Sequence, residues 1–311
     1  MRENDELLNR ATGCLLGLAV GDGLGAPVEG STGMEIRNRF GLLTEMTGSG
    51  RLNLRPGETT DDTAQTMAMA ESIASCGGFD ADDIAFRFTE WFRMDGRGVG
   101  RHTSSVLSLI AGGEDWEKAA LETQARNPDS SGNGSLMRCA PVALSEYKDS
   151  ARLIRNSRLS SRITHPHPDC QWSCVFLNLL IAELLKGNER FDALKLATDR
   201  YNEINEASPE ILRRSQNAFS EKTAGKPSPT AYVLDTLECS IWLWLHHSSF
   251  EETLIAAVNL GGDADTIGAV TGALAGCTYG AVSIPDRWLV HIQNAQRLGE
   301  LAEALVISSR T

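Results

Sequence analysis

The stretch that most constrains this fold is "AAVNLGGDADTIGAVTGALAGC", which runs from Ala256 to Cys277. It places Asp263 and Asp265 one residue apart, directly after a Gly-Gly pair and before a long run of small apolar residues. Such a run is typical of a buried helix. A carboxylate that faces an apolar interior costs several kcal/mol unless a positive charge or hydrogen-bond donors meet it. The two aspartates therefore either cap the helix or hold a cation.

The apolar residues elsewhere in the chain mostly follow helical spacing. "FEETLIAAVNLGG" places Phe250 and Leu254 on one face, and "YVLDTLECSIWLWL" does the same with Leu237 and Ile241. Alternating strand patterns with tight turns are scarce. We predict an all-α fold in which residues 1–311 form a single domain. The charged stretch 189–228 is interpreted as a variable surface segment, because polar motifs lie on both sides of it.

The composition narrows the range of partners. The chain has 29 basic against 41 acidic side chains, a net charge of −12. Nucleic acid and anionic membranes require a basic surface, so we expect neither as the main partner. The uninterrupted apolar run near the start is too short for a signal peptide or a membrane span, and the seven cysteines form no C-x-x-C pair. We expect a cytoplasmic protein with reduced thiols.

A second acidic stretch, "TTDDT", has the same layout as the first. Thr60, Asp61 and Asp62 precede the helical run "AQTMAMAESI", just as Asp265 is followed by Thr266 and a helical run. Taken singly, each stretch makes a good N-cap and first turn. Capping needs one oxygen, however, whereas each stretch offers two carboxylates and a threonine. Side chains one and two residues apart diverge on a helix, so they converge only where the helix starts.

Two such helix starts that face each other would bring four carboxylates and two hydroxyls around a small volume. Because these charges repel one another, they need a cation. Neither stretch contains Cys or His, and oxygen ligands favour Mg²⁺ or Mn²⁺, or Ca²⁺, over Zn²⁺. Four carboxylates exceed what one Mg²⁺ normally takes from a protein, so two metal ions roughly 3.5–4 Å apart are the better match. The sequence thus predicts aspartates that both start helices and hold metal.

Seven motifs in this order resemble those of the ADP-ribosylglycohydrolase family, whose members include the dinitrogenase reductase-activating glycohydrolases. They are "GDGLGAPVE", "TTDDT", "GNGSLMR", "THPHPD", "AYVLDTLECSIWLW", "NLGGDADTIGAVTGALAG" and "YGAVSIPDRW", and they extend from about Thr12 to Trp288. The resemblance implies a compact orthogonal all-helical fold with a site for two Mg²⁺ or Mn²⁺ ions. It also implies hydrolysis of the bond between ADP-ribose and an acceptor, often an arginine guanidinium, on an ADP-ribosylated protein or a small ADP-ribose conjugate.

Carried over by position, the resemblance implies specific site residues. The metal ligands are Thr60, Asp61, Asp62, Asp263, Asp265 and Thr266. The catalytic candidates are Glu29, as base or gate, Asp62 and Asp263, because carboxylates near the ribose stabilise an oxocarbenium-like transition state or activate water. The substrate-binding candidates are Gly98, Gly100, Gly132, Asn133, Gly134, Ser135, His165 and Tyr232. The amides of loop 132–135 can cradle a diphosphate. Taken alone, this loop is more plainly an ordinary Asn-Gly turn, and Tyr232 a core aromatic.

One segment, "MDGRGVGRHT", departs from the family pattern. Gly98 stands where many members have an acidic residue near the substrate, so that group is either missing or shifted to Asp95. Three other side chains in the segment are expected to make it basic instead: Arg97, Arg101 and His102. On the acceptor side of the substrate, a basic segment favours a phosphate or an acidic protein surface over a cationic arginine.

Two other functions fit part of this pattern. A protein of this fold without activity would bind ADP-ribose and not cleave it. However, the chain has the family's residue type at all six metal-ligand positions and at Glu29, which an inactive site would have little reason to keep. A metal-dependent phosphohydrolase that acts on a nucleotide would also use clustered aspartates. Helical phosphohydrolases usually bring His-Asp pairs to their metals, and the chain contains no "HD" pair. The product separates these functions, since one releases ADP-ribose and the other inorganic phosphate.

Overall fold

The computed structural model describes residues 3–219 and 227–308, where helices form nearly all the regular structure. The α-helices are α1 (Glu3–Gly25), α2 (Gly33–Phe40), α3 (Asp61–Cys76), α4 (Ala81–Met94), α5 (Arg101–Ala111), α6 (Trp116–Arg126), α7 (Ala140–Glu146), α8 (Ser150–Arg162), α9 (Pro168–Leu185), α10 (Arg190–Asn202), α11 (Pro209–Phe219), α12 (Val233–His246), α13 (Phe250–Val258), α14 (Ala264–Tyr279), α15 (Asp286–Leu289) and α16 (Ala295–Ser308). Short 3₁₀ turns span Ala26–Val28, Asn133–Arg138 and Ala281–Ser283. In these residues β-pairing is limited to isolated bridges. The all-α prediction is confirmed.

Helices α1 and α14 form the centre of the fold and lie unusually close together. Glycines at four-residue spacing on each helix face one another in three pairs: Gly13 with Gly276, Gly17 with Gly272, and Gly21 with Gly268. A Cβ atom on any of these six glycines would lie closer than 3.0 Å to backbone atoms of the opposite helix. The order of the pairs shows that the helices are antiparallel. The start of α14 therefore lies beside the end of α1.

The helix faces predicted from apolar spacing are buried. Phe250 and Leu254 of α13 are at most 1% exposed, and Leu237 and Ile241 of α12 are fully buried. Helix α9 is apolar on nearly every face and packs against α8, α10 and α7, as expected for a core helix. These helices enclose the α1–α14 pair and fix the position of its site-bearing end.

The charged stretch 189–228 contributes more to the core than predicted. Its helix α10 packs on α9, and Ala193, Leu194, Ala197 and Tyr201 are buried there. Helix α11 packs on α12. Residues 220–226 of this stretch lie outside the described residues. That residues 1–311 form one domain stays a prediction.

By length and composition, one helical stretch of the described residues, Asn4–Val28, could cross a membrane. Its most apolar window is 94% buried inside the structure. Core helices of soluble proteins and signal sequences pass the same test, so a single such stretch is weak evidence for a span. A cytoplasmic location and the absence of membrane and nucleic-acid partners stay predictions.

Candidate metal and substrate site

Three segments bring acidic residues to one end of the α1–α14 pair. Glu29 directly follows the 3₁₀ turn after α1. Helix α3 begins at Asp61 and includes Asp62 in its first turn, and Asp263 precedes α14, which carries Asp265 in its first turn. Both acidic stretches therefore mark helix starts, as the sequence predicts.

The Gly-Gly pair before α14 holds the turn that contains Glu29. Gly261 and Gly262 have φ values of +78° and +71°, which favour glycine. The Gly262 N–H donates to the Ser31 carbonyl at 2.8 Å, and the Gly30 N–H donates to the Gly262 carbonyl at 2.7 Å. This pairing fixes the turn after Glu29 beside the start of α14.

Asp22 orders the start of α3, a role that the sequence analysis missed. Its buried carboxylate accepts hydrogen bonds from the Thr60 N–H at 3.0 Å, the Thr63 N–H at 3.1 Å and the Thr63 hydroxyl at 2.6 Å. Thr60 itself makes no side-chain capping bond. Because Asp22 satisfies the free amides, Asp61 and Asp62 are not needed as caps. In the sequence, the feature that could have revealed this role is an aspartate within the apolar helix α1.

The remaining carboxylates lie close together with few donors around them. One carboxylate oxygen each of Glu29, Asp263 and Asp265 lie within 4.8 Å of one another. Asp62 is 1% exposed, and its Oδ1 has no hydrogen-bond partner among the described residues. A buried oxygen without a donor is unfavourable unless a cation meets it.

Burial and mutual repulsion raise the pKa values of the aspartates in this cluster. Burial raises the pKa of Asp61 to about 7, and the charge of Asp22 adds to the effect. Burial also raises the pKa of Asp22 to about 6, although four hydrogen bonds oppose it. The pKa values of Asp62 and Asp265 lie well above the ordinary range, first through burial and then through neighbouring carboxylates. At neutral pH the cluster therefore requires bound protons or cations.

The donor set fits a divalent cation that prefers oxygen. The unpaired Oδ1 of Asp62 and the three converging carboxylates supply hard ligands, and the Thr60 hydroxyl lies 3.1 Å from Asp62 Oδ2. Thr266 lies in the first turn of α14, where its N–H donates to Asp265 Oδ1 at 2.9 Å. Such ligands suit Mg²⁺ or Mn²⁺. That two ions bind here stays a prediction.

A cleft of about 610 Å³ opens over the carboxylates. This volume is typical of small-molecule sites. The cleft brings together most of the residues predicted from sequence: Glu29, Asp61, Asp62, Gly98, Gly100, Gly132, Asn133, Gly134, His165, Asp263, Asp265 and Thr266. One cavity therefore contains five of the six expected metal ligands and six of the eight expected substrate-binding residues.

Three predicted residues do not line this cleft. Thr60 is buried at the N-cap of α3 and borders a separate depression beside that helix. Ser135 is buried, and its hydroxyl hydrogen-bonds the Ser161 hydroxyl at 2.9 Å. The Tyr232 hydroxyl donates to Asp169 Oδ2 at 3.1 Å. Because these polar groups are satisfied within the protein, they support the cleft rather than face it.

Asn133 links loop 132–135 to a predicted metal ligand. Its N–H donates to the Ala231 carbonyl at 3.0 Å, and its side-chain amide donates to Thr236 Oγ1 at 2.9 Å and to Asp263 Oδ2. The loop is thus the start of a 3₁₀ turn rather than an isolated Asn-Gly turn. Asn133 orients Asp263 as well as lining the cleft.

Gly98 is suited to its place because a side chain there would collide with α3. Its φ is +87°, and a Cβ atom would lie 2.6 Å from Asp61 Oδ1 and 3.0 Å from the Thr60 Cβ. Asp95 does not supply the acidic group that Gly98 lacks. It lines a separate depression beside α3 and lies 3.6 Å from Arg97 Nε.

Two histidines stack loosely in the cleft wall. The rings of His102 and His165 have centroids 4.7 Å apart. His102 Nε2 donates to the Thr164 carbonyl at 2.9 Å, so its Nδ1 accepts from the Ser130 hydroxyl at 3.0 Å. Burial lowers the pKa of both histidines. His102 therefore adds no positive charge at neutral pH to the segment that the sequence predicts to be basic.

Arg51 is a second residue that the sequence analysis missed. Its Nη2 donates to both carboxylate oxygens of Glu29, at 2.8 and 3.0 Å. The hydrogen bonds and charge of Glu29 raise the pKa of Arg51, and the charges of Asp265 and Asp61 add to the effect. The arginine follows a tight turn in which Ser49 has a φ of +72°. No sequence motif connects Arg51 with the acidic stretches, so only the fold could reveal this contact.

In the presence of EDTA, we expect the melting temperature to rise by roughly 5 °C as the pH falls from about 8 to about 5.5. The folded-state pKa values of Asp61, about 7, and Asp22, about 6, exceed the ordinary value of 3.8. The folded state thus binds more protons than the unfolded state in this window, so its stability increases as the pH falls.

Differential scanning fluorimetry across this pH range measures the effect. Saturating Mg²⁺ should flatten the profile, because a bound cation replaces the protons. A melting temperature that falls steadily from pH 8 to pH 5.5 in EDTA would contradict the prediction.

Comparisons with known proteins agree with the all-α fold and with the family resemblance of the sequence motifs. The sequence model of the ADP-ribosylglycohydrolase family matches residues 3–311. The ADP-ribosyl-[dinitrogen reductase] glycohydrolase of Rhodospirillum rubrum is 35% identical over 281 residues, which cover 90% of this chain and 89% of the relative. The ADP-ribosylarginine hydrolase Tri1 of Serratia proteamaculans (strain 568) is 31% identical over 309 residues, covering 96% and 80%. A solved ADP-ribosylglycohydrolase-related protein complex matches with a TM-score of 0.82 at 35% identity, covering 98% of this chain and 99% of that one. This chain therefore belongs to the ADP-ribosylglycohydrolase family of hydrolytic enzymes.

Proposed function

We propose that this enzyme hydrolyses the glycosidic bond between ADP-ribose and an arginine side chain of a protein, with two Mg²⁺ or Mn²⁺ ions as cofactors. The observation that carries the proposal is the convergence of Glu29, Asp61, Asp62, Asp263 and Asp265 at one cleft of about 610 Å³. The relatives support the substrate class, since one is named for ADP-ribosyl-dinitrogen reductase and another for ADP-ribosylarginine.

The cleft residues suit cleavage at the anomeric carbon of the ribose. Positive charge develops there as the bond to the guanidine nitrogen breaks, and the carboxylates of Glu29, Asp263 and Asp265 provide compensating negative charge. Arg51 and Asn133 orient Glu29 and Asp263 by hydrogen bonds, so these carboxylates keep fixed positions. Glu29 is the proposed base that takes a proton from the attacking water. Bound Mg²⁺ or Mn²⁺ would neutralise the cluster, bind ribose hydroxyls and make water more acidic.

A second candidate acceptor is an uncharged residue such as serine. Gly98 provides no carboxylate for a guanidinium, and Asp95 lies outside the cleft. Arg101 lines the cleft, is exposed, and has no side-chain partner within the described residues. A cation at this position disfavours a positively charged acceptor.

The test is release of free ADP-ribose from mono-ADP-ribosylated arginine and serine peptides, compared side by side in Mg²⁺, Mn²⁺ and EDTA. We expect metal-dependent release, faster from the arginine peptide, and none from Asp263→Ala. Faster release from the serine peptide would transfer the proposal to that linkage. Release of inorganic phosphate from a nucleotide would instead identify a phosphohydrolase, and ADP-ribose binding without any release would contradict the proposed reaction.

A further inference from the structure

We propose that Arg138 is a positioning residue whose buried guanidinium fixes the direction of the hydrogen bonds that orient His165 and Asp61 in the cleft. Arg138 ends the "GNGSLMR" motif and is fully buried. The direction of the bonds follows from the contacts alone. Its consequence for ligand binding rests on the proposed function.

Arg138 is a buried cation without a carboxylate in salt-bridge contact among residues 3–219 and 227–308. Its Nη1 donates to Gln65 Oε1, and its Nη2 donates to Thr164 Oγ1 at 2.6 Å. Its guanidinium carbon lies 4.3 Å from the centre of the Phe88 ring. Burial lowers the pKa of Arg138 to about 10, so it stays charged at neutral pH. Its two polar contacts are thus with neutral groups that receive its hydrogens.

On one side, the contacts determine which nitrogen of His165 carries the hydrogen. A guanidinium only donates, so Thr164 Oγ1 accepts from Arg138. Thr164 is fully buried, and among the described residues its hydroxyl contacts only Arg138 and His165. The hydroxyl hydrogen therefore has a single acceptor, His165 Nδ1, 2.7 Å away. Because Nδ1 accepts this bond, the neutral imidazole carries its hydrogen on Nε2.

The Nε2 edge of His165 lies against the glycine loop of the cleft. A Cβ atom on Gly134 would lie 3.2 Å from Nε2, and one on Gly132 would lie 4.0 Å from it. His165 lines the cleft, so Nε2–H can donate to an oxygen of a ligand there. In ADP-ribose these oxygens belong to the phosphates and the ribose hydroxyls.

On the other side, the same argument applies to Gln65. Since Arg138 donates to Gln65 Oε1, the amide nitrogen of Gln65 must point the other way. It lies 3.4 Å from Asp61 Oδ2. Arg138 thereby directs the side-chain N–H of Gln65 towards Asp61 on α3. It also directs the Nε2–H of His165 towards the space in which a ligand would bind.

The test reads the tautomer of His165 directly, by ¹⁵N NMR of histidine-labelled protein. Wild type is compared with Thr164→Val, which removes the hydroxyl at similar volume, and with Thr164→Ser, which keeps it. His165→Gln identifies the resonances. We expect the Nε2–H tautomer in wild type and in Thr164→Ser. In Thr164→Val we expect the Nδ1 resonance to move because its donor is lost. Calorimetric affinity for ADP-ribose should fall about tenfold in Thr164→Val and recover in Thr164→Ser.

Two NMR outcomes would overturn the proposal: an Nδ1–H tautomer in wild type, or a ring spectrum in Thr164→Val identical to that of wild type. This arm needs no ligand, so it decides the direction of the bonds even if the proposed function fails. If wild type binds no ADP-ribose, the proposed function fails while the tautomer still decides this inference. An affinity that is equal in all three proteins would show that the tautomer does not serve ligand binding and would overturn that part.

Discussion

Asp62→Asn is expected to reduce ADP-ribose release about 10³-fold and to abolish detectable Mg²⁺ binding, while raising the melting temperature of the metal-free protein. The substitution keeps the shape of the side chain, removes its charge and replaces one carboxylate oxygen with an NH2 group. Asp62 is 1% exposed, and its Oδ1 has no hydrogen-bond partner among the described residues. Its charge therefore opposes folding in the absence of a cation and attracts one when metal is present.

A loss of activity together with a gain in stability would distinguish a metal ligand from a helix cap. Loss of a cap lowers stability by about 1 kcal/mol, and asparagine caps nearly as well as aspartate. If Asp62 served the helix alone, Asp62→Asn would leave both activity and stability close to those of wild type. If neighbouring carboxylates repel the charge of Asp62, Asp62→Asn should instead give a more stable but inactive protein. Functional sites often retain such destabilising groups.

Asp149→Asn is the matched control. Asp149 caps α8 by accepting from the Ala151 and Arg152 N–H groups. We expect the control to keep wild-type activity and Mg²⁺ affinity. Calorimetric Mg²⁺ titration, thermal unfolding in EDTA and the peptide assay give the three readouts. Unchanged Mg²⁺ affinity in Asp62→Asn would exclude Asp62 as a ligand, whatever the effect on the rate.

Local patterns in the sequence were sufficient to predict where α3 and α14 begin and that acidic residues lie at these two starts. Asp61 and Asp263 stand at the helix boundaries because Asp and Thr favour first turns and small apolar residues favour the helices that follow. The convergence of the two starts was inferred because each stretch offers more oxygens than a cap needs, and the cleft brings them together. Each helix start is readable from the sequence because it depends on residues adjacent in the chain.

The residues that the sequence analysis missed act across long separations. Asp22 caps a helix that begins 39 positions later, and Arg51 contacts Glu29 from a separate turn. Arg138 contacts Gln65 of another helix. Each contact is an ordinary hydrogen bond or ion pair. Which residue serves as the partner, however, depends on how α1, α3 and the 3₁₀ turn Asn133–Arg138 pack. Ser135 and Tyr232 are the opposite case, because the sequence predicts them as site residues and the structure does not. Their motifs lie beside the cleft, but their side chains hydrogen-bond other residues of the protein.

Gly272→Ala is expected to destabilise the protein by about 3 kcal/mol or more, enough to reduce soluble expression. Its Cβ atom would lie 2.7 Å from the Gly17 carbonyl carbon, and the other nearby atoms also belong to the backbone of α1. Backbone atoms cannot rotate away, so α1 and α14 would have to separate. Their separation would also displace the carboxylates at the end of the pair.

Gly299→Ala is the matched control, because Gly299 lies inside α16 and its nearest neighbour would be Thr12 Cγ2 at 3.8 Å. Alanine should raise helix stability there by about 0.5–1 kcal/mol, since glycine is the poorer helix former. Urea unfolding measures both variants. If Gly272→Ala were as stable as Gly299→Ala, close contact between α1 and α14 would not hold the fold together. A loss confined to Gly272→Ala, with lower Mg²⁺ affinity in any soluble fraction, would show that the close packing of these two glycine-lined helices sets the geometry of the carboxylates.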